Sequence, residues 1–537
     1  MADRFDFIIV GAGSAGCVLA NRLSADPAIR VLLVEAGPEP RNPLIRIPAG
    51  MSRLFHPGPH NWGYTSQSEP FLNDRTLYQP RGKGLGGSSA INGMVYLRGH
   101  AGDFDHWRQL GNPGWGWDDV LPLYRRHERS AHADGALHGG DGELSVIDPS
   151  LRHAFSELFI AAAEDAGFRR NADLNSGDPE GVGYVQYSIA HGRRCSAYEA
   201  FVRPIRRRAN LVIVTEALVE KVLLDGRRAT GIAYVRHGRR VVAEAGREVI
   251  LAGGAINSPQ LLMLSGIGPA AHLRDKGVAV VHDLPAVGQN LHDHPFASLS
   301  FQAPARYSIN HRLRGLGAVV EAGRYALTRG GVLALGTTQN NLFARVAPGA
   351  DRPDIQISTR PFSFIIKGTR ILVNKAPTIT AAVCLLRPES RGAVRLAGPE
   401  ATRAPDFRFN YLESPRDRQT FVDGAKLAYR VMAGPRMTGF APVMPLPNDD
   451  EAILEKLRAM AGAMYHPVGS CRMGPGADCV VDPRLRVHGI AGLRVADASI
   501  MPLIVSANTN AAAILIGEKA AALVLEDWKA WSGMTLR

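Results

Sequence analysis

Apolar residues run together without polar alternation over Phe5–Val10, Arg30–Val34 and Glu248–Ala252, lengths that suit strands buried on both faces of a parallel sheet. Between the first two, Ser14 to Ser24 reads as a helix. From Ala197 the pattern predicts a helix and then short strands over Leu211–Val214, Ala217–Leu224, Ala229–Arg236 and Arg240–Ala243, with Asp225-Gly226 and His237-Gly238 as hairpin turns. Glu248–Ala252 follows, running into Gly253-Gly254 and a helix over Ser258–Leu264. This order suits a small antiparallel insertion inside a doubly wound fold. From about 296 to 464 the glycine-turn-helix units stop, and stretches such as Ile355–Ser358 and Ile371–Asn374 suit a separate antiparallel sheet covered by helices. Gly492 to Asp497 then reads as one more buried strand, and Ala511 to Leu525 as a helix.

The turn after the first strand is Gly11-Ala12-Gly13-Ser14-Ala15-Gly16, and Glu35 closes the second strand. In that context each glycine has a purpose: Gly11 makes the tight turn, Gly13 lets backbone approach a pyrophosphate, and Gly16 lets helix and strand pack closely. The helix N-terminus offers free N–H groups to phosphate. Glu35 suits a ribose hydroxyl and disfavours a phosphorylated nicotinamide cofactor. Asp497, also beyond a strand's carboxyl end, is placed to reach the same ligand. A second glycine loop, Arg81 to Asn92, contains Gly86-Gly87-Ser88-Ser89 but no Walker-type Lys-Ser or Lys-Thr pair. Two cradles in one chain point to a cofactor larger than a mononucleotide.

The motifs Gly82 to Asn92, Gly254 to Gly268, Tyr465-His466-Pro467-Val468-Gly469-Ser470 and Asn508-Thr509-Asn510, in this order, resemble those of the glucose-methanol-choline (GMC) family of flavin-dependent oxidoreductases. Within it the chain is most similar to bacterial choline and aliphatic or polyether alcohol dehydrogenases. The resemblance spans essentially the whole chain. It implies an α/β (α+β overall) architecture: a discontinuous Rossmann-like FAD-binding domain over 1–145, 192–295 and 465–537, and a substrate-binding domain over 146–191 and 296–464. FAD would be held by Gly11, Gly13, Ser14, Ala15, Gly16, Glu35 and Ala36, by Gly86, Gly87, Ser88, Asn92, Gly93 and Val95, and by Val219, Asp497 and Ala498. Trp62 would wall the flavin cavity. Ala90 stands where some relatives attach the flavin through a histidine, which implies non-covalent FAD.

His466 and Asn510 match the family's catalytic pair. The implied reaction is oxidation of a primary alcohol to the aldehyde by hydride transfer to flavin N5, with His466 as general base and Asn510 as hydrogen-bond donor. Phe296 to Ala318 contains no acid to meet a quaternary ammonium, so a neutral aliphatic, aryl or polyether alcohol fits better than choline. Two alternatives stay open: a member without net redox, like the flavin-containing hydroxynitrile lyases, or an alcohol oxidase using O2. The electron acceptor is a quinone, a dye or O2.

Composition narrows the picture further. The chain has 537 residues, 45% of them hydrophobic, with 57 glycines and 35 prolines, which describes a loop-rich globular protein of more than one domain. Five cysteines form no CxxC pair, and His292, Asp293 and His294 read as a structural stretch, so no metal is expected. His100, Asp103 and His106 read as a solvated helix start. The formal charge of +12 comes mostly from scattered arginines, the pattern of a solvated basic surface rather than of nucleic-acid binding. No signal peptide or membrane-spanning run is visible, which leaves a cytoplasmic protein with at most peripheral contact with the inner membrane.

Overall fold

The computed structural model describes residues 3–367 and 370–534. Its first layer is a seven-stranded sheet. Strand β1 (Asp3–Val10) lies between β2 (Val31–Val34) and the long strand Arg239–Leu251, parallel to both, with Val10 level with Val34 and with Leu251. Leu211–Val214 extends the parallel sheet beyond β2, and Leu493–Val495 extends it beyond the long strand. The apolar runs form central strands because both faces are covered: Ile8, Ile9, Leu33, Val249 and Ile250 have no solvent exposure.

The sequence pattern splits Arg240–Ala243 from Glu248–Ala252, but the structure makes them one strand. Its first half pairs antiparallel with Arg228–Arg236 and its second half parallel with β1, with a register shift between Phe5 and Phe7. The helix expected from Ala197 is a single π turn, Tyr198–Val202, followed by one 3-10 turn, because Pro204 interrupts it. The helix expected from Ser258 begins earlier, at Gly254.

Helix α1 (Ser14–Leu23) packs along the C-terminal helix Asn510–Met534. A Cβ at Gly517 would lie 2.7 Å from the Ala15 carbonyl oxygen, so the two backbones touch where only glycine fits. Arg22 binds the fully buried Glu518 (2.6 Å) and also pairs with Glu143. This packing carries the tail of the chain to the glycine turn at its head.

The second layer is a seven-stranded sheet ordered Ala441–Pro442, Pro295–Gln302, Thr378–Leu385, Ile355–Arg360, Asn340–Ala344, Gly181–Tyr184, with Gly462–Ala463 also on Pro295–Gln302. Helix Pro415–Met432 covers one face, where Gly424 lets Ile355 and Val383 approach. The expected strand near Ile371–Asn374 forms instead a separate hairpin, Phe364–Lys367 with Arg370–Val373. The five cysteines are free and buried.

Candidate active site

A cavity of about 950 Å³ runs between the two sheets. Its nucleotide end is built by the two glycine loops, which touch. Gly86 N–H donates to the Ala12 carbonyl (2.8 Å), and a Cβ on Gly87 would meet the Cα of Gly13 at 2.7 Å. Gly11 (φ +102°) would place a Cβ 2.5 Å from the Ala252 carbonyl, and a Cβ at Gly16 would lie 1.9 Å from the Gly11 carbonyl. Gly13 is different: its absent Cβ has one ordinary contact, at 3.8 Å. Space for a phosphate is therefore left beside the uncapped N-terminus of α1, where Gly13 supplies no side-chain cap.

Gly11, Gly13, Ser14, Ala15, Glu35, Ala36, Trp62, Gly87, Ser88, Asn92, Gly93, Val95, Val219, Asp497 and Ala498 all line this cavity, as do His466 and Asn510. Gly16 and Gly86 do not; they stand behind the surface and let the turn, helix and loop close on one another. Glu35 is buried and accepts hydrogen bonds from Ala12 N (2.9 Å), Gly37 N (2.9 Å) and Gly84 N (2.9 Å). Two of these fall on Oε1 and one on Oε2, so acceptor capacity remains on Oε2. Burial raises its pKa against the lowering effect of those N–H groups. Asp497 is held by Gly254 N (2.8 Å), Ser258 Oγ (2.5 Å) and Ser499 N (2.8 Å), so it fixes the start of helix Gly254–Leu264 as well as facing the cavity. Trp62 stacks on Tyr64 (5.7 Å, 12°) with the Lys83 ammonium over its ring at 4.5 Å. It belongs both to the cavity wall and to an aromatic cluster.

At the other end sits His466, raised on Tyr465, which adopts a left-handed backbone (φ +66°) that a tyrosine rarely takes. The Tyr465 carbonyl accepts from the half-buried Arg81 (2.6 Å), and the His466 N–H donates to Asp293 (2.8 Å). The ring is fixed by three further residues. His294 Nε2 lies 2.9 Å from the Leu386 carbonyl and must donate to it. Burial pushes the His294 pKa down to about 4, so the ring is neutral and its Nδ1 is an acceptor. His466 Nδ1 lies 3.1 Å from that nitrogen and therefore carries the proton. This leaves the lone pair on His466 Nε2, where Asn508 Nδ2 donates at 3.1 Å. Burial first, then His294 and Arg81, hold the His466 pKa well below the usual histidine value.

Asn510 opens the C-terminal helix, and its Oδ1 accepts from Ser14 Oγ (2.8 Å), which leaves its Nδ2 as donor. Head and tail of the chain thus meet at the site as well as at Arg22 and Glu518. The preceding loop is pinned at three places: Leu503 O by Trp107 Nε1 (2.9 Å), Ile504 N by His292 Nε2 (3.0 Å) and Ser506 N by Asp103 (2.7 Å). The expectation of a solvated His100–His106 start is corrected here. His100 caps that helix, and Asp103 is buried, bound also to Arg352 at 3.0 Å, because it anchors the loop carrying Asn508. His292, Asp293 and His294 are engaged in hydrogen bonds, Asp293 also accepting from Tyr411 Oη (2.7 Å). Among the described residues no group of three or more His, Cys, Asp or Glu could hold a metal ion.

Sequence reasoning missed His294 and Asn508 as site residues. The signal for Asn508 was its place two residues before Asn510; nothing local marked His294, which acts across 172 residues.

A glycine-turn nucleotide cradle joined to an antiparallel sheet, with a histidine and an asparagine lining the cavity between, defines a flavoprotein oxidoreductase architecture. The chain belongs to the GMC oxidoreductase family, whose N-terminal model matches residues 5–296 and whose C-terminal model matches residues 388–517. It is 42% identical to an alcohol dehydrogenase [acceptor] of Pseudomonas putida over 533 residues, 97% of this chain and 96% of the relative. It is 39% identical to an oxygen-dependent choline dehydrogenase of Rhizobium etli over 529 residues, 97% and 95% of the two. Among solved structures, a formate oxidase of Aspergillus oryzae, studied for its FAD modification, superposes with a TM-score of 0.89 at 27% identity, covering 98% of this chain and 99% of that one. The family and its structural neighbours are FAD-binding flavoproteins, and the chain is an oxidoreductase.

Proposed function

We propose that the protein oxidises a primary alcohol to the aldehyde, with FAD in residues 1–145, 192–295 and 465–537 and the alcohol against 146–191 and 296–464. The observation that carries this reading is the unprotonated Nε2 of His466 in a cavity shared with Asn510 and the glycine loops. The substrate hydroxyl replaces Asn508 at Nε2 and gives up its proton there; a neutral imidazole held below its usual pKa is ready to accept it at pH 7. Asn510 Nδ2 donates to the developing alkoxide, and the pinned loop holds the carbinol carbon in place. FAD held by the glycine loops, Glu35 and Asp497 would supply the hydride acceptor and the route for two electrons to a quinone, a dye or O2. In His466→Ala, anaerobic alcohol should no longer bleach the flavin; bleaching at the wild-type rate would remove His466 as the base.

The activities in the relatives' names, alcohol dehydrogenase and choline dehydrogenase, support redox chemistry over a lyase reaction. Ala90, buried in the second glycine loop, has no atom to bond the flavin, which supports dissociable FAD.

Peripheral contact with an anionic membrane surface is supported by helix Gly315–Thr328, which is inside out. Leu316, Val319, Val320 and Leu327 are 85%, 68%, 67% and 88% exposed, while Glu321 is buried against Arg312 (2.5 Å). Exposed Arg306, Arg324 and Arg329 accompany that apolar stripe. Among the described residues no helix is long and apolar enough to cross a membrane. Co-sedimentation with phosphatidylglycerol vesicles, lost in Leu316→Glu/Leu327→Glu, tests this; protein that stays in the supernatant refutes it.

A further inference from the structure

The central strand Ile355–Arg360 alternates by side chain. Ile355 and Ile357 are fully buried on the face covered by helix Pro415–Met432, whereas Gln356, Ser358 and Arg360 line the cavity. The rows continue across the sheet: Asn341 faces Ser358, and Ser358 and Ser298 both pair with Ala382. The floor of the substrate half is therefore polar.

Arg360 stands out on that floor. It is 8% exposed, yet its side chain makes no hydrogen bond or ion pair among the described residues, and its Nε is sealed from solvent without a partner. The guanidinium lies 5.5 Å over the Phe364 ring. Burial lowers its pKa to about 10, which still leaves it cationic at neutral pH. The other cavity cations are engaged: Arg312 with Glu321, Arg75 with the Arg458 carbonyl (2.7 Å), and Arg81 with the Pro80 (2.7 Å) and Tyr465 carbonyls. Among the described residues the only acids lining the cavity, Glu35 and Asp497, are held by backbone N–H groups at the nucleotide end. Asn341 adds a second unmet demand, since neither its amide nitrogen nor its oxygen has a partner although both are sealed from solvent.

A buried cation without a counter-charge is costly unless a ligand completes it. A guanidinium presents a planar fork that matches a carboxylate with two parallel hydrogen bonds. One free fork and one free amide on the same face of the sheet suit a planar monoanion better than a dianionic phosphate. We propose that Arg360 receives a carboxylate of the substrate, with Asn341 as a further hydrogen-bonding group, so that the alcohol oxidised is a hydroxy-carboxylate. This rests on the alcohol-oxidation reading above, and it departs from the neutral alcohol that the sequence alone favours, because no local pattern shows that Arg360 lacks a partner.

The test uses FAD-loaded enzyme and two alcohols, 4-(hydroxymethyl)benzoate and its methyl ester, with a dye as acceptor. The wild type should favour the acid in kcat/KM by about tenfold to a hundredfold, the range of a hydrogen bond to a charged group. Arg360→Met should reverse that preference, and Arg360→Lys should keep part of it. Benzoate, which cannot be oxidised, should raise the melting temperature of the wild type and not of Arg360→Met, whose own melting temperature should be higher because an unpaired buried charge is gone. Equal use of acid and ester by the wild type, an acid preference that survives in Arg360→Met, or equal stabilisation of both proteins by benzoate would overturn the assignment, as would stabilisation by phenyl phosphate in place of benzoate. If neither alcohol nor 1-hexanol reduces the flavin, the alcohol-oxidation reading fails, while the benzoate shift still decides the role of Arg360.

Discussion

His294 is expected to set which nitrogen of His466 is basic, and replacing it isolates that effect. His294→Phe removes two hydrogen bonds, the buried donor to Leu386 O (2.9 Å) and the partly buried acceptor for His466 Nδ1–H (3.1 Å). Each bond is worth about 1 kcal/mol net, and each orphaned partner adds a penalty, so a stability loss of about 2–4 kcal/mol follows. The rate effect is separate. Without the acceptor at Nδ1, the tautomer carrying its proton on Nε2 becomes competitive, and that form cannot accept a proton from the substrate there. A lost bias of about 1.4 kcal/mol is about tenfold in the ratio of the two tautomers, and approaches tenfold in the fraction of competent base only where the Nε2–H form then predominates. His294→Gln retains both functions in principle, its amide N–H toward Leu386 and its carbonyl toward His466. Stopped-flow reduction of the flavin under anaerobic alcohol, together with urea unfolding of both variants, measures the two effects. The expected order of reduction rates is wild type, Gln, Phe, with Gln within about threefold of wild type if both bonds re-form. A Phe variant that is destabilised yet reduces its flavin within twofold of the wild type would show that tautomer control is not His294's contribution.

Three further outcomes follow from particular contacts. Gly16→Ala would place a Cβ 1.9 Å from the Gly11 carbonyl, forcing backbone apart at the phosphate turn, and should yield protein with little bound FAD and a melting temperature several degrees lower, read from absorbance and calorimetry. His127 is buried, bonded through Nε2 to Tyr96 Oη (3.2 Å) with Nδ1 unpartnered, and burial lowers its pKa to about 3. A depressed histidine pKa means that the unfolded chain binds the proton first, so stability falls as pH drops from about 6.5 toward 3. Between pH 7.5 and pH 5, His127→Leu should therefore lose about 2 kcal/mol less than the wild type in urea unfolding, and equal losses would refute the assignment. Acid precipitation should leave the yellow chromophore in the supernatant, since Ala90 offers no covalent attachment; a coloured pellet would contradict this.

The parts of the molecule that sequence made legible are those governed by neighbours in the chain. The glycine turn is one in part, since Gly16 is required by its contact with Gly11 five residues before it, whereas Gly11 is required by Ala252, far away in sequence at the end of the adjoining strand. The apolar runs are another, since burial on both faces leaves its mark residue by residue. What stayed hidden depends on partners far away in sequence. Asp103 carries the capping-box pattern of an exposed helix start, and only the fold shows it gripping Ser506 across 403 residues. His294 resembles a core histidine until His466 is set beside it. Arg360 is the sharpest case. Its strand alternates apolar and polar positions as a half-solvated strand does, and yet all six of its residues are buried. Period-two alternation reports that one face meets something polar; it does not say whether that is bulk water or an enclosed ligand. In water an unpaired arginine is ordinary, whereas on a cavity floor that leaves it 8% exposed it demands an anion, so the same six letters acquire a functional meaning only when the helix on one face and the cavity on the other are both in place.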